Sequence, residues 1–362
     1  MNRTAPQTLA AWLVLGLALC GCGTTHPAAA RPVHARAPAG FVPEAFSAVS
    51  ERDFWLLGTA ACRTGRCSVI VRTSDGGRTF AKAGAPPLPV EGYTPLIQFA
   101  DERDGFAFVP DSRSPLYATH DRGATWRRQA LGDVLGFATT KTTAYAATAR
   151  CSADRCTHFR IETAPASSTL WTATRLPFTP DSGLIGLAAH GTNVWLFGTP
   201  RGGERRPHHR LARSADSGRT WASGPGPCYP DLGGELMPAT TRVVWAVCPT
   251  GMLGSAYRST DGGITFARLG IRRNLANSAR LATVSGSTAV LFGSSAGSRL
   301  MRTTDGGASW KPVHAPRTPI DIWSMAFTDS HVGFALVQTR PNSASLWRTT
   351  DGGAHWSELP IG

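Results

Sequence analysis

The sequence predicts an all-β fold, a ring of seven four-stranded units known as a β-propeller, on three observations. A short phrase returns six times: TSDGGRTF at Thr73–Phe80, THDRGATW at Thr119–Trp126, SADSGRTW at Ser214–Trp221, STDGGITF at Ser259–Phe266, TTDGGASW at Thr303–Trp310 and TTDGGAHW at Thr349–Trp356. Its aspartates, Asp75, Asp121, Asp216, Asp261, Asp305 and Asp351, are spaced by 46, 95, 45, 44 and 46 residues. Four of these steps are one period and the 95 is close to two. A repeated unit of about 45 residues is the sequence mark of a propeller, one blade per repeat. The second observation is that each phrase follows an apolar run, a polar turn and another apolar run, which reads as a hairpin. The third is a further hairpin inside the 95-residue gap, which brings the count to seven, a number that closes well into a ring.

The hairpins come in order. They are FSAVSERDFWLLG from Phe46, IQFADERDGFAFV from Ile97, VLGFATTKTTAYAATA from Val134 and LIGLAAHGTNVWLFG from Leu184. ELMPATTRVVWAV from Glu235, LATVSGSTAVLFG from Leu281 and MAFTDSHVGFALV from Met325 complete the set. After the third hairpin, Trp171 takes the aromatic position of the phrase while the aspartate and glycine are lost, so a degenerate copy closes that repeat. The expected blades cover residues 41–84, 94–130, 133–176, 183–224, 235–270, 279–315 and 320–360, within a propeller domain at 41–362. No stretch of the mature chain keeps a 3.6-residue apolar period, so almost no helix is expected.

Within the phrase, an aspartate carboxylate can accept backbone N–H bonds a residue or two further on, and glycine supplies positive φ without steric cost. The aromatic residue restarts the outer strand and offers an apolar face to the neighbouring repeat. Five phrases carry an arginine three residues before the aspartate (Arg72, Arg213, Arg258, Arg302 and Arg348), with Ala118 the exception. The phrase resembles the Asp-box, or BNR repeat, of sialidases, sortilin-type receptors, some glycan hydrolases and photosystem II assembly factors. That resemblance covers nearly the whole mature chain. It implies that the six aspartates are structural turn residues on the face away from the binding surface.

The N-terminus reads as an export signal. Residues 1–21 have a positive start at Arg3 and an apolar run from Leu9 to Leu19, too short for a comfortable membrane span. Leu19-Cys20-Gly21-Cys22 resembles a bacterial lipobox, which implies lipid on Cys22 and a chain held to the outer face of the cell membrane. Residues 22–40, rich in Ala, Pro and polar residues, read as a tether. Cys20 leaves with the signal, and six cysteines remain. Cys62–Cys67 and Cys151–Cys156 are each separated by four residues at the same place in their repeats, the loop between the second and third strands. Disulfides suit that geometry and an oxidising compartment, and Cys228–Cys248 pairs by elimination. Zinc is disfavoured because the usual spacing between paired ligands is two residues.

A net charge of +13 and 37 Lys and Arg against 24 Asp and Glu invite a nucleic-acid reading. Almost all the positive charge is arginine, no nucleic-acid-binding pattern accompanies it, and export removes nucleic acid as a partner. In a propeller, the loops between second and third strands and between blades share one face, opposite the phrase turns. Sorted this way, Arg201, Arg205, Arg206 and Arg210 belong to the fourth repeat's loop RGGERRPHHR, and Arg272 and Arg273 precede the sixth repeat. Arg280, Arg63, Arg66, Arg113, Arg155, Arg317 and Arg340 are assigned to the same face. Clustered guanidinium groups suit carboxylate or phosphate, so an anionic glycan, a lipid headgroup or an acidic envelope protein is the expected partner. His208 and His209 sit among arginines, which disfavours a bound cation. The reading is a monomeric binding or scaffold module without cofactor or metal.

The enzyme alternative is a sialidase-like glycosidase, which pairs a tyrosine nucleophile with a glutamate and carries a Phe-Arg-Ile-Pro motif. Phe159-Arg160-Ile161 resembles that motif, but Glu162 replaces the proline. Phe159-Arg160 also aligns with Trp347-Arg348 and Met301-Arg302, an ordinary third-strand ending. Tyr229 and Glu235 are the one candidate nucleophile and base. No GxSxG, HExxH or phosphate loop is present.

Overall fold

The computed structural model describes residues 36–63, 65–89, 94–110, 115–152, 156–200, 210–229, 232–271, 275–276, 278–293, 299–340 and 343–361. Among these, strands and turns occur and no helix does. The strands form seven antiparallel meanders at residues 42–83, 96–128, 133–175, 180–225, 235–268, 280–312 and 321–359, each with its four strands side by side in chain order. The first strands of successive blades touch all the way round, the first blade meeting the seventh, so they surround the axis of a seven-bladed β-propeller.

The second strand of a blade lies between two others in its own sheet and between two neighbouring blades. That position explains why runs such as Phe54–Leu57 and Val244–Cys248 are apolar and buried at every residue rather than alternating. The core is accordingly divided into seven apolar clusters, one at each blade interface. Every aromatic residue that ends a phrase enters the cluster shared with the preceding blade: Phe80, Trp126, Trp221, Phe266, Trp310 and Trp356. Trp171 of the degenerate copy does the same between blades 2 and 3, donating from Nε1 to Gln129 Oε1 at 3.0 Å.

Among the described residues, no strand is exchanged where the ring closes. Blades 1 and 7 are joined by a cluster containing Phe46, Phe54, Phe334, Leu336 and Leu346, with the Phe54 and Phe334 ring centroids 4.9 Å apart. Ala37 and Phe41 pack against the same cluster, and the Ala37 N–H donates to the Ile361 carbonyl at 3.1 Å.

Because strand direction alternates, links between second and third strands and between blades emerge on one face. The phrase turns emerge on the other. Three disulfides, Cys62–Cys67, Cys151–Cys156 and Cys228–Cys248, lie at links of the first kind, and that side is called the disulfide face below. The third joins the link leaving blade 4 to the second strand of blade 5, inside their shared cluster.

Candidate binding surface

The six repeated aspartates are consumed by their own turns. In the first, Asp75 Oδ1 accepts the Thr73 hydroxyl at 2.7 Å and the Thr79 N–H at 2.9 Å, while Oδ2 accepts the Thr79 hydroxyl at 2.6 Å. The Thr73 hydroxyl oxygen in turn accepts the N–H of Gly77 at 3.0 Å. The same lattice recurs at Asp121, Asp216, Asp261 and Asp305, and at Asp351 with His355 Nδ1 in place of the second hydroxyl. The anchoring N–H lies four residues beyond the aspartate, further than the one or two expected, because two successive left-handed residues intervene. Gly76 and Gly77 take φ of 75° and 85°, and Arg122 and Ser217 are held at 64° and 59° at the equivalent first position.

These bonds set the acidity of the turns. Burial pushes Asp75 and Asp351 up, but the bonds from Thr79 and from His355, with those from Thr73 and Thr349, outweigh it and hold both at about 2. Hydrogen bonds led by the Thr220 and Ser309 hydroxyls likewise hold Asp216 and Asp305 well below the ordinary range. A carboxylate with a depressed folded value stabilises the fold above its unfolded value, and that contribution is lost as pH falls through the folded one. Stability should therefore fall between pH 3.8 and about 2, and Asp75→Asn should make that fall shallower in acid titrations followed by tryptophan fluorescence. An Asp75→Asn titration superimposable on the parent's would contradict this account.

Arginines and tryptophans of several repeats clamp the next blade. Arg302 Nε donates to the Gly352 carbonyl at 2.7 Å and Arg348 Nη1 to that of Gly76 at 3.3 Å. Trp55 Nε1 reaches the Arg122 carbonyl at 3.0 Å and Trp195 Nε1 that of Gly262 at 2.8 Å. All four acceptors are the first left-handed residue of the next blade's turn. Arg258 donates instead to the Gly286 carbonyl, at 2.7 Å from Nη2. Blade 3 lacks this arginine: Tyr145, which holds the place of Trp55 and Trp195 in its strand, pairs with Thr163, and Arg160 pairs with Thr148. The alignment of Phe159-Arg160 with Trp347-Arg348 is thus off by three residues. The degenerate phrase lets the third strand run on to Pro165, which shifts Arg160 toward the disulfide face.

Of the residues that the sequence assigns to this face, Arg201, Arg205, Arg206, Arg272, Arg273, Arg113 and Arg155, with His208 and His209, lie outside the described residues, as does the Arg340 side chain. Cys22 and residues 1–35 lie outside them too. Arg210 opens the third strand of blade 4, pairing with Gly198. Other arginines are folded back on the frame: Arg66 on the Thr59 hydroxyl and carbonyl at 2.7 and 2.9 Å, Arg280 on the Ala279 carbonyl at 3.3 Å, and Arg317 on Glu358 at 3.5 Å. The inner rim is mostly acidic, because the first strands of blades 1, 3, 5 and 7 begin with or near Glu44, Asp133, Glu235 and Asp321, while that of blade 6 begins with Arg280. Burial pushes Glu44 up, opposed by the Thr59 hydroxyl bond and the Arg66 charge. Asp133 accepts the Cys151 N–H at 2.8 Å and Asp321 the Ile322 N–H at 2.8 Å. Among the described residues, no group of three or more His, Cys, Asp and Glu is arranged to hold a metal ion.

Blade 5 carries the feature that sequence reasoning missed. Tyr229, Leu232, Met252 and Leu253 are exposed there, Met252 at 89%. The frame beneath them is rigid. Cys228 and Cys248 are buried and bonded, and a Cβ on Gly234 would stand 2.5 Å from Cys228 Sγ. Leu253 and Gly254 also pair with an additional short strand, Leu275–Ala276, next in sequence to Arg272 and Arg273. Tyr229 and Glu235, the candidate nucleophile and base, are both exposed, Tyr229 in the link that leads into blade 5 and Glu235 at the start of its first strand on the inner rim.

No family model matches the chain, and no curated protein matches it in sequence. In structure it is similar to the β-propeller domain of the Trilobed protease from Pyrococcus furiosus, a propeller of open velcro topology, at 8% identity and a TM-score of 0.59 over 88% of this chain and 98% of that one. It is more distantly similar to YCF48 bound to D1 peptide, at 15% identity and a TM-score of 0.45 over 75% and 93% of the two chains. The Niastella koreensis GH74 enzyme gives 11% and 0.41 over 88% and 65%. At these identities the likeness is one of fold, and the class it defines is the β-propeller.

Proposed function

We propose that the chain is an exported, lipid-anchored Asp-box propeller that serves as a non-enzymatic binding module, holding an acidic protein segment over the disulfide face of blade 5. The observation that carries this reading is the group of exposed apolar side chains, Tyr229, Leu232, Met252 and Leu253, on a disulfide-braced frame. Exposed apolar patches on a rigid support mark interaction sites. Leucine and methionine gain little against sugar hydroxyls but much against apolar side chains, which favours a protein partner over a glycan. Arg201, Arg205, Arg206 and Arg210, of the loop between the second and third strands of the preceding blade 4, with Arg272 and Arg273, which follow blade 5 in sequence, supply the preference for acidic partners. The mostly acidic inner rim argues for a site off the axis. Three disulfides support an oxidising compartment, and Leu19–Cys22 supports lipid on Cys22.

The test is a photo-crosslinking residue at Met252 in intact cells. A discrete protein adduct is expected, lost with Leu232→Ser/Leu253→Ser and weakened with Arg272→Ser/Arg273→Ser, and Cys22→Ser should release the chain from the membrane. Adducts to lipid alone would refute the assignment. Turnover of a fluorogenic sialoside that Tyr229→Phe abolishes would replace it with the glycosidase reading.

A further inference from the structure

The seam between blades 7 and 1 holds a cavity of about 440 Å³ near the turn face, remote from blade 5. Its apolar wall is Phe80, Leu359 and Ile361, all part of or packed against the seam cluster. Three arginines are among its lining residues: Arg36, Arg78 and Arg348. Among the described residues the one carboxylate in the lining, Glu358, is already engaged by the Ser345 hydroxyl at 2.8 Å and by Arg317 at 3.5 Å. Arg348 spends Nη1 on the Gly76 carbonyl at 3.3 Å and on Glu51 at 3.7 Å, while its Nε is buried without a hydrogen-bond partner. Among the described residues, the positive charge of the cavity is therefore not cancelled from within.

We infer that this cavity is a binding site for a small amphipathic carboxylate, an anionic head attached to an apolar body. Its volume is in the range of small-molecule sites, and an apolar wall with a few convergent polar groups is their usual make-up. Guanidinium groups match the two oxygens of a carboxylate in bidentate fashion. The N–H of Gly76 is given to the Arg52 carbonyl at 3.1 Å and that of Gly77 to the Thr73 hydroxyl at 3.0 Å, so the turn offers no free amide cradle. Glu51 beside Arg348 further disfavours a dianion. Two sources share the chemistry, a medium-chain fatty acid and a short apolar peptide with a free C-terminus.

The mature chain is titrated calorimetrically with decanoate, decanol, an Ala-Leu-Phe peptide as free acid and its C-terminal amide. Saturable binding of at least one free acid is expected, with the neutral analogue at least about tenfold weaker. Which acid binds distinguishes the two sources. Arg78→Ser and Arg36→Ser, both at exposed side chains, should each weaken binding by about tenfold, whereas Met252→Ser should leave it unchanged. Equal affinity for acid and neutral analogue, unchanged affinity in both arginine variants, or no saturable binding of either acid overturns the inference. Loss of the Met252 adduct would leave it untouched.

Discussion

Phe334→Ala is expected to destabilise the propeller by about 3–5 kcal/mol, the usual cost of emptying a buried aromatic site. Phe334 is completely buried and meets both Phe54, at 4.9 Å between centroids, and Phe46, at 6.2 Å. Both neighbours belong to blade 1, so one truncation removes packing from both sides of the seam. The other blade interfaces join units that follow one another along the chain. At the seam the partners are distant in sequence, and the loop entropy of bringing them together must be met by contacts alone. Hydrogen exchange should consequently accelerate in blade 1 as well as blade 7. Phe106→Ala serves as the control, since Phe106 is equally buried between consecutive blades and packs on Phe137 at 5.0 Å. Faster exchange confined to blade 7 in Phe334→Ala would mean the ring does not close cooperatively through this cluster.

Replacing Cys228 and Cys248 together by alanine should cost about 3 kcal/mol, on the chain-entropy view of a cross-link with a sequence separation of 20. The Cys62–Cys67 link, with a separation of 5, should cost less when removed, because its hairpin restrains the unfolded chain little further. Alanine is the right replacement, since both sulfurs lie in the cluster between blades 4 and 5 and a serine hydroxyl there would go unsatisfied. The variant also tests the proposed binding surface. Tyr229 and Leu232 adjoin Cys228 in sequence, so losing the brace should loosen them and weaken the Met252 adduct more than the Cys62/Cys67 double alanine variant does. Urea titrations giving the two cysteine pairs the same cost would discredit the brace as a special feature.

The seven blades were legible in the sequence because a blade is a local object. Its four strands are consecutive, and the hydrogen bonds that hold each aspartate span at most four residues. Cys62–Cys67 and Cys151–Cys156 were legible for the same reason, each closing a single hairpin loop. Trp171 kept its aromatic signal because its contact with blade 2 survives the loss of the aspartate. The register of blade 3 was not legible, since a degenerate phrase gives no fixed point from which to count, and Arg160 was placed three residues from its true row.

What the amino-acid order determined alone is thus the repeat, the turns and the apolar strand runs. Which residues meet across blades was decided by the ring. Arg348 and Gly76 stand 272 positions apart yet share a hydrogen bond, because curvature accumulated over seven blades returns the last to the first. The same closure leaves the cavity beside Arg36 and Arg78, sets Glu44 and Asp133 on the inner rim, and leaves Met252 in solvent beyond blade 5. A period records how each unit folds. Where its charges and apolar side chains point relative to other units depends on packing between blades, and that is a property of the whole ring.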